Sequence, residues 1–283
     1  MAIEIEAANG VGAYVRNINL AEVDSAEVER LRTALGEYGV LFFRDQDLSP
    51  EQHIQFAESF GKININRFFT AIDGYPSIAQ VLKEPSHQKN VGRFWHTDHS
   101  YDQVPALGSI LVARELPSKG GDTVFRNMAT AYETLPDEMK QRILPLKALH
   151  SSRHVFGAKA YTDNDLQGRL GNTELATQDA IHPLVIQHPI SKKPVLFVNP
   201  QFTVQVEGMD KTEGDELLDS LYTHAMQAQF EHRFQWRHGS VVFWDNRASW
   251  HQALNDYPGE RRLMHRITVE GCELESVISK GLF

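Results

Sequence analysis

Cysteine is nearly absent. Cys272 stands alone among 283 residues, so no disulfide can form within the chain and a reducing compartment is expected. Basic residues are in deficit: 28 Lys and Arg face 37 Asp and Glu, a formal net charge of -9. A nucleic-acid partner is therefore not expected, because neutralising phosphates takes clustered Lys and Arg. An anionic small molecule is not excluded, since it needs only a local basic pocket. No apolar run approaches the roughly 20 residues that span a membrane. The stretch Met1 to Asn9 carries glutamates and lacks the apolar centre of a secretory leader. Fixed-period repeats and low-complexity tracts are missing too. The expectation is a cytoplasmic protein that binds neither nucleic acid nor membrane.

What is present suffices for a sizeable core, with 41% apolar and 10% aromatic residues. No shift in composition divides the chain, so one domain over residues 1–283 is expected. Asp24-Ser25-Ala26-Glu27 reads as a capping box that opens a helix with apolar positions Val28, Leu31, Leu35 and Tyr38. Gly39 stops it, and Val40 to Phe43 reads as a buried strand. Ser49-Pro50-Glu51-Gln52 opens a second helix, ended by Gly61. Residues 62–93 look irregular, broken by Gly74, Pro76, Pro85 and Gly92. Strands are expected at Ser109 to Val112, after the Gly120-Gly121-Asp122 turn, at Leu184 to Ile186, at Val195 to Val198, at Phe230 to Arg237, at Ser240 to Trp244 and at Arg262 to Val269. Helices are expected at Met128 to Leu135, Glu138 to Leu144 and Thr212 to Ala228. The stretch from Gly157 to Ala180 is long, polar and weakly periodic. It and residues 62–92 read as lids over a site. Many short strands with few helices suit a mainly β, α+β protein with a jelly-roll, cupin-like core.

The chemistry concentrates in His96-Thr97-Asp98 and a distant His251. In extended chain, residues i and i+2 face one side, so His96 and Asp98 can share an ion while Thr97 turns away. Two imidazoles and a carboxylate on one face of an iron leave three coordination positions open, as in non-haem Fe(II) oxygenases. His251 follows an apolar strand that gives way to polar residues, which suggests a rim position. Downstream lie Arg262 and Arg266, four residues apart and on one side of a regular strand. An H-x-D among 13 histidines is a common accident, Arg262 alone reads equally as a solvated surface charge, and the lesser reading of Arg266 is a structural ion pair. The combination is much more specific than its parts.

Trp95-His96-Thr97-Asp98, Gly120-Gly121-Asp122-Thr123, Trp244-Asp245-Asn246-Arg247, His251 and Arg261 to Arg266 together resemble the taurine dioxygenase and 2,4-dichlorophenoxyacetate dioxygenase family. The resemblance runs from about Ile5 to Glu270. It implies a double-stranded β-helix and an Fe(II)- and 2-oxoglutarate-dependent oxygenase that consumes O2. It assigns the iron to His96, Asp98 and His251, and the distal carboxylate of 2-oxoglutarate to Thr123 and Arg262. Arg266 would meet the anionic head of a small-molecule substrate. A homo-oligomer, dimer or tetramer, is expected. The stretches His150 to Gly157 and Val206 to Met209 look closest to the branch acting on aryloxypropionates.

The pocket departs from the taurine pattern. Asn66 and Phe69 stand where taurine enzymes carry a histidine and a tyrosine, and Gly92 replaces an asparagine. Both changes remove partners for a small ammonium head. Phe69, Val155, Phe156 and Phe202, with Asn66, then form the expected substrate wall, suited to an apolar anion; Phe68 is a further candidate. Such aromatics could equally be core. The expected reaction hydroxylates a carbon beside a heteroatom, with fragmentation to a carbonyl product, succinate and CO2. An aryloxyalkanoate is the first substrate class, and a sulfonate, taurine or alkyl sulfate is the alternative. A zinc hydrolase with the same three ligands would have no use for Thr123 and Arg262 together. A binding protein of the same fold would form no succinate. Asp98 argues against a halogenase, which gives up its carboxylate ligand.

Overall fold

Apolar side chains run consecutively through Val40, Leu41, Phe42 and Phe43 and through Val241, Val242, Phe243 and Trp244, and because successive side chains point to opposite faces, these strands are buried on both sides. The computed structural model describes residues 3–157 and 169–277. It begins with β1 (Glu4–Ala7), β2 (Ala13–Arg16), α1 (Ser25–Tyr38), β3 (Val40–Phe43) and α2 (Pro50–Glu58). There follow β4 (Ile63–Asn64), β5 (Ala71–Ile72), β6 (Tyr75–Lys83), β7 (Gly108–Glu115), β8 (Thr123–Asn127), α3 (Met128–Glu133) and α4 (Asp137–Ile143). Next are β9 (Lys147–Ser151), α5 (Arg153–Phe156), β10 (Asp179–Pro183), β11 (Val185–Gln187), β12 (Pro194–Leu196), β13 (Thr203–Val206) and α6 (Lys211–Ala225). The last are β14 (Glu231–Phe234), β15 (Val241–Asp245), β16 (Ser249–Ala253), β17 (Arg262–Val269) and β18 (Glu275–Ser276).

A large sheet runs in the order β1-β2-β3-β15-β7-β17-β6-β5, with β4 also on β17. A smaller sheet, β14-β8-β16, faces it. Between them lie Phe42, Leu111, Val242 and Met264 from the large sheet, and Phe125 and Phe234 from the small one. Phe42 stacks on Phe234 with centroids 4.9 Å apart and meets Phe125 edge-on at 5.8 Å. This is the expected jelly-roll core. The opposite face of the large sheet carries Leu41, Phe43, Ile110, Val241, Phe243 and Ile267, covered by Leu31 and Leu35 of α1 and Phe56 of α2. Two further three-stranded sheets, β10-β9-β13 and β12-β11-β18, pack with α3 and α6 in a separate apolar cluster around Trp250.

The helix signals act as read. Asp24 and Glu27 close a capping box on α1, as do Ser49 and Gln52 on α2, and Gly39 takes φ +75° at the end of α1. Residues 62–93 are not irregular throughout. They contain β6, whose Ala79, Val81 and Lys83 pair with Arg266, Met264 and Arg262 of β17. Gly74 and Pro76 had hidden that strand, yet both sit at its entry, where an unpaired N–H costs little. Of the 157–180 stretch, residues 158–168 lie outside the described chain. The remainder is partly ordered into the fold: Leu170 forms a β-bridge with Phe69, and Asp179 begins β10. No helix among the described residues is long and apolar enough to cross a membrane.

Phe42→Ala should cost about 3–5 kcal/mol, since it empties the contact between the sheets. Chemical denaturation checks this, and a loss below about 1 kcal/mol would show that the two sheets are held elsewhere.

Candidate metal centre and co-substrate pocket

His96 and Asp98 do not sit in a regular strand. His96 forms an isolated β-bridge with His251. The His96 N–H donates to the His251 carbonyl at 3.1 Å, and the His251 N–H returns the bond at 2.9 Å. The Thr97 hydroxyl points the other way and donates to the Ser249 carbonyl at 2.9 Å. Extended backbone over three residues is thus enough to put His96 and Asp98 on one side. His99, at φ +61°, then turns the chain away. His251 is not at a rim. It is the middle residue of β16, pairs with Phe125 of β8 and is buried. The polar residues that suggested a rim are themselves buried by an ion network described below.

The donor atoms of His96, Asp98 and His251 lie within 4.8 Å of one another, and all three residues are buried. His96 Nε2 is 3.6 Å from Asp98 Oδ1, and His251 Nε2 is 3.9 Å from Asp98 Oδ2. Donors at adjacent corners around a small divalent ion stand roughly 3 Å apart, so the set needs only a small contraction to close on one. His96 Nδ1 is 2.7 Å from the Phe94 carbonyl. A carbonyl only accepts, so Nδ1 carries the hydrogen and Nε2 keeps its lone pair for a metal. Burial, helped by the nearby His96, holds His251 well below the usual imidazole range, which leaves it neutral. Burial alone would raise the Asp98 carboxyl, but the Arg266 guanidinium and the two imidazoles outweigh it and keep Asp98 ionised. Two imidazoles and one carboxylate form the donor set of an oxygenase iron.

A cavity of about 770 Å³ opens on this triad and is also walled by Thr123, Arg262, Arg266, Phe69, Val155, Phe156 and Phe202. Arg262 and Arg266 come from β17, on the inward face they share with Met264. Arg262 Nε donates to the Gly121 carbonyl at 3.1 Å, while its buried Nη2 has no partner among the described residues. Gly120 and Gly121 both take positive φ, at +74° and +71°. A Cβ on Gly120 would stand 2.5 Å from Asp256 Oδ1, and one on Gly121 would press on the Arg262 side chain at 3.2 Å. The double glycine therefore lets this turn close beside Arg262. Arg266 Nη1 donates to Asp98 Oδ2 at 3.2 Å, and its guanidinium lies 4.5 Å from the Phe69 ring centroid.

One expected wall residue is elsewhere. Asn66 is not in the cavity wall; its side-chain oxygen accepts from the N–H groups of Phe68 and Phe69, each at 2.9 Å. It shapes the turn that delivers Phe69. Phe68 backs the wall by stacking on Phe156 at 4.4 Å. His154 joins the lining, and Arg153 pairs outside it with Asp179 at 2.8 Å. Asn90, Gln201 and Gln252 also line the cavity. No sequence signal marks them, because single amides in loops and at strand ends belong to no spacing pattern.

A family model described as "Taurine catabolism dioxygenase TauD, TfdA family" matches residues 4–268. The chain belongs to this family. Among curated relatives, the alkylsulfatase of Acinetobacter baylyi is 35% identical over 266 residues, covering 92% of this chain and 82% of that one. The alpha-ketoglutarate-dependent 2,4-dichlorophenoxyacetate dioxygenase of Cupriavidus pinatubonensis is 32% identical over 277 residues, covering 90% and 93%. The crystal structure of AAD-2 in complex with Mn(II) and N-oxalylglycine superposes with TM-score 0.80 at 28% identity, covering 98% of this chain and 99% of that one. The protein is thus an Fe(II)- and 2-oxoglutarate-dependent dioxygenase that uses O2, and the hydrolase and binding-only readings fall away.

Behind the cluster of His96, Asp98 and His251 in this dioxygenase, Asp245 locks the turn that leads into β16. Arg247 donates to its Oδ1 with Nε at 2.9 Å and to its Oδ2 with Nη2 at 2.7 Å, and His188 Nε2 lies 3.1 Å from the same Oδ2. All three side chains are almost wholly buried. Burial works against the Asp245 charge, but Arg247 and His188 hold its carboxyl far below the usual range. Asp245→Asn should destabilise the protein by about 3–5 kcal/mol, because Arg247 is left buried without a counter-charge. Thermal or urea unfolding reads this, and an unchanged midpoint would remove the network from the support of His251.

Proposed function

We propose that His96, Asp98 and His251 hold the iron and that Thr123 and Arg262 hold the far carboxylate of 2-oxoglutarate. Arg266, with Phe69, Val155, Phe156 and Phe202, would receive an apolar organic anion. The observation that carries this reading is a buried guanidinium with an unpartnered nitrogen, Arg262 Nη2, in the wall of the cavity that holds the triad. An unsatisfied buried donor is costly, and an incoming carboxylate satisfies it through parallel charge-assisted bonds.

Bound iron, with 2-oxoglutarate and O2, supplies the oxidation: 2-oxoglutarate leaves as succinate and CO2, and a substrate C–H becomes C–OH. The chain's own part is position and dryness. The aromatic wall excludes water from the face that the triad leaves open. Arg266 uses Nη1 on Asp98, and its Nε has no partner among the described residues, which leaves a donor for a substrate anion. Where the hydroxylated carbon bears an ether or sulfate-ester oxygen, the product falls apart into a carbonyl compound and a leaving group. No side-chain base is required.

An aryloxyalkanoate-type anion fits this site, since its ring can lie against Phe69, Phe156 and Phe202. The relative named for 2,4-dichlorophenoxyacetate supports it. An alkyl sulfate is the second reading, supported by the 35% identical relative named alkylsulfatase. Taurine suits the site poorly. Asn66 is occupied by backbone, Phe69 offers no hydrogen bond, and Gly92 brings no side chain beside His96, so an ammonium head would lose hydration without a partner.

Asp98→Ala should abolish the weak visible charge-transfer band expected of the anaerobic Fe(II) complex with 2-oxoglutarate. A wild-type protein without the band at saturating iron speaks against the ligand set. Arg262→Ala should leave iron binding intact and weaken 2-oxoglutarate binding by about 2–5 kcal/mol. An unchanged 2-oxoglutarate requirement would mean that another residue holds the co-substrate. O2 uptake over aryloxyalkanoates, alkyl sulfates, sulfonates and taurine tests the substrate class. The best apolar anion should exceed taurine in kcat/KM by at least about tenfold. Taurine as the best substrate would sink the pocket reading and spare the iron chemistry.

A further inference from the structure

We propose that Trp236 is a positioning residue for 2-oxoglutarate. Its indole N–H holds the Thr123 hydroxyl so that the hydroxyl hydrogen is presented to the co-substrate's distal carboxylate. The inference rests on the clamp reading of Thr123 and Arg262 above.

Trp236 lies just past β14 and is not part of the cavity wall. Its Nε1 is 3.0 Å from Thr123 Oγ1. An indole N–H can only donate, so the threonine oxygen is the acceptor and the direction of the bond is fixed. A threonine hydroxyl has one hydrogen and two lone pairs. Once the indole occupies a lone pair, the hydrogen must point elsewhere. Thr123 is only 3% exposed and is one of the residues that line the cavity. No acceptor for that hydrogen is found among the described residues. A carboxylate oxygen arriving beside Arg262 would supply one.

The same indole also backs the second half of the clamp. The Arg262 guanidinium carbon is 5.7 Å from the Trp236 ring centroid. The ring is itself braced edge-on by Phe234 at 5.0 Å, and Phe234 stacks on Phe42 in the core between the sheets. Arg262 is tied from its other side by the Gly121 carbonyl. One side chain outside the pocket thus orients a hydroxyl and supports a guanidinium inside it. Orientation of this kind matters because a misdirected O–H would have to break its bond to turn toward the ligand.

The test uses Trp236→Phe, which keeps an aromatic ring and deletes the N–H. The Mn(II)-loaded protein, which does not turn over, is titrated calorimetrically with 2-oxoglutarate. O2-uptake assays of the Fe(II) protein then give KM for 2-oxoglutarate and for the organic substrate. The expected result is a rise of about three- to tenfold in both Kd and KM for 2-oxoglutarate, the size of one lost hydrogen bond. Mn(II) affinity and the substrate KM should hold. Thr123→Val alone and Thr123→Val with Trp236→Phe should bind 2-oxoglutarate equally weakly, because the N–H acts only through that hydroxyl.

Wild-type affinity for 2-oxoglutarate in Trp236→Phe overturns the proposal. So does a double variant that is weaker than Thr123→Val by the full Trp236→Phe factor. A tryptophan that served only the fold would lower the unfolding midpoint and leave the binding constants in place. If Thr123→Val and Arg262→Ala both bind 2-oxoglutarate as the wild type does, the clamp reading has failed, and this proposal falls with it.

Discussion

Two backbone hydrogen bonds between His96 and His251 are the constraint on which the site depends. They join a loop that follows β6 to the middle of β16 and set two imidazoles side by side, with ring centroids 4.1 Å apart. Asp98 then needs only extended chain to reach the same point. The bridge is short, and its surroundings make it rigid. The Thr97 hydroxyl bonds to Ser249, Trp244 packs against the His251 ring at 4.7 Å, and the Asp245–Arg247 pair closes the turn before β16. Metal chemistry needs three donors placed to a fraction of an ångström, and rigid strands achieve this better than a free loop.

Burial without partners is the second theme. Asp98, Arg262 and Arg266 are all less than a tenth exposed. Charges in such places are expensive unless they are paired. In this protein the pairing is deliberately incomplete: Arg262 Nη2 and Arg266 Nε lack acceptors among the described residues. The jelly-roll core makes the deficit tolerable. Aromatic packing of Phe42, Phe125 and Phe234 between the sheets supplies stability that offsets these unsatisfied donors.

Most of the fold was legible wherever a periodicity was long or a cap was strong. The capping boxes at Asp24 and Ser49 and the strands at Val40 and Arg262 fall where the pattern placed them. β6 is not legible locally, because Gly74 and Pro76 punctuate the chain at its entry as they would at a break. The polar run Asp245, Asn246 and Arg247 suggests a rim for His251. These residues are buried all the same, because they satisfy one another and their neighbours.

The sequence by itself determined the chemistry. Two imidazoles and a carboxylate suit an iron, because that donor set leaves coordination positions open, and the double-glycine turn and Arg262 point to 2-oxoglutarate through their resemblance to the family. Only the tertiary structure decided which side chains meet the cavity. Asn66 turned inward to its own backbone, Arg266 reached Asp98, and Trp236 came behind Thr123. These are contacts between residues far apart in the chain. No local spacing encodes them, because they follow from how two sheets, each built from local pattern, pack face to face.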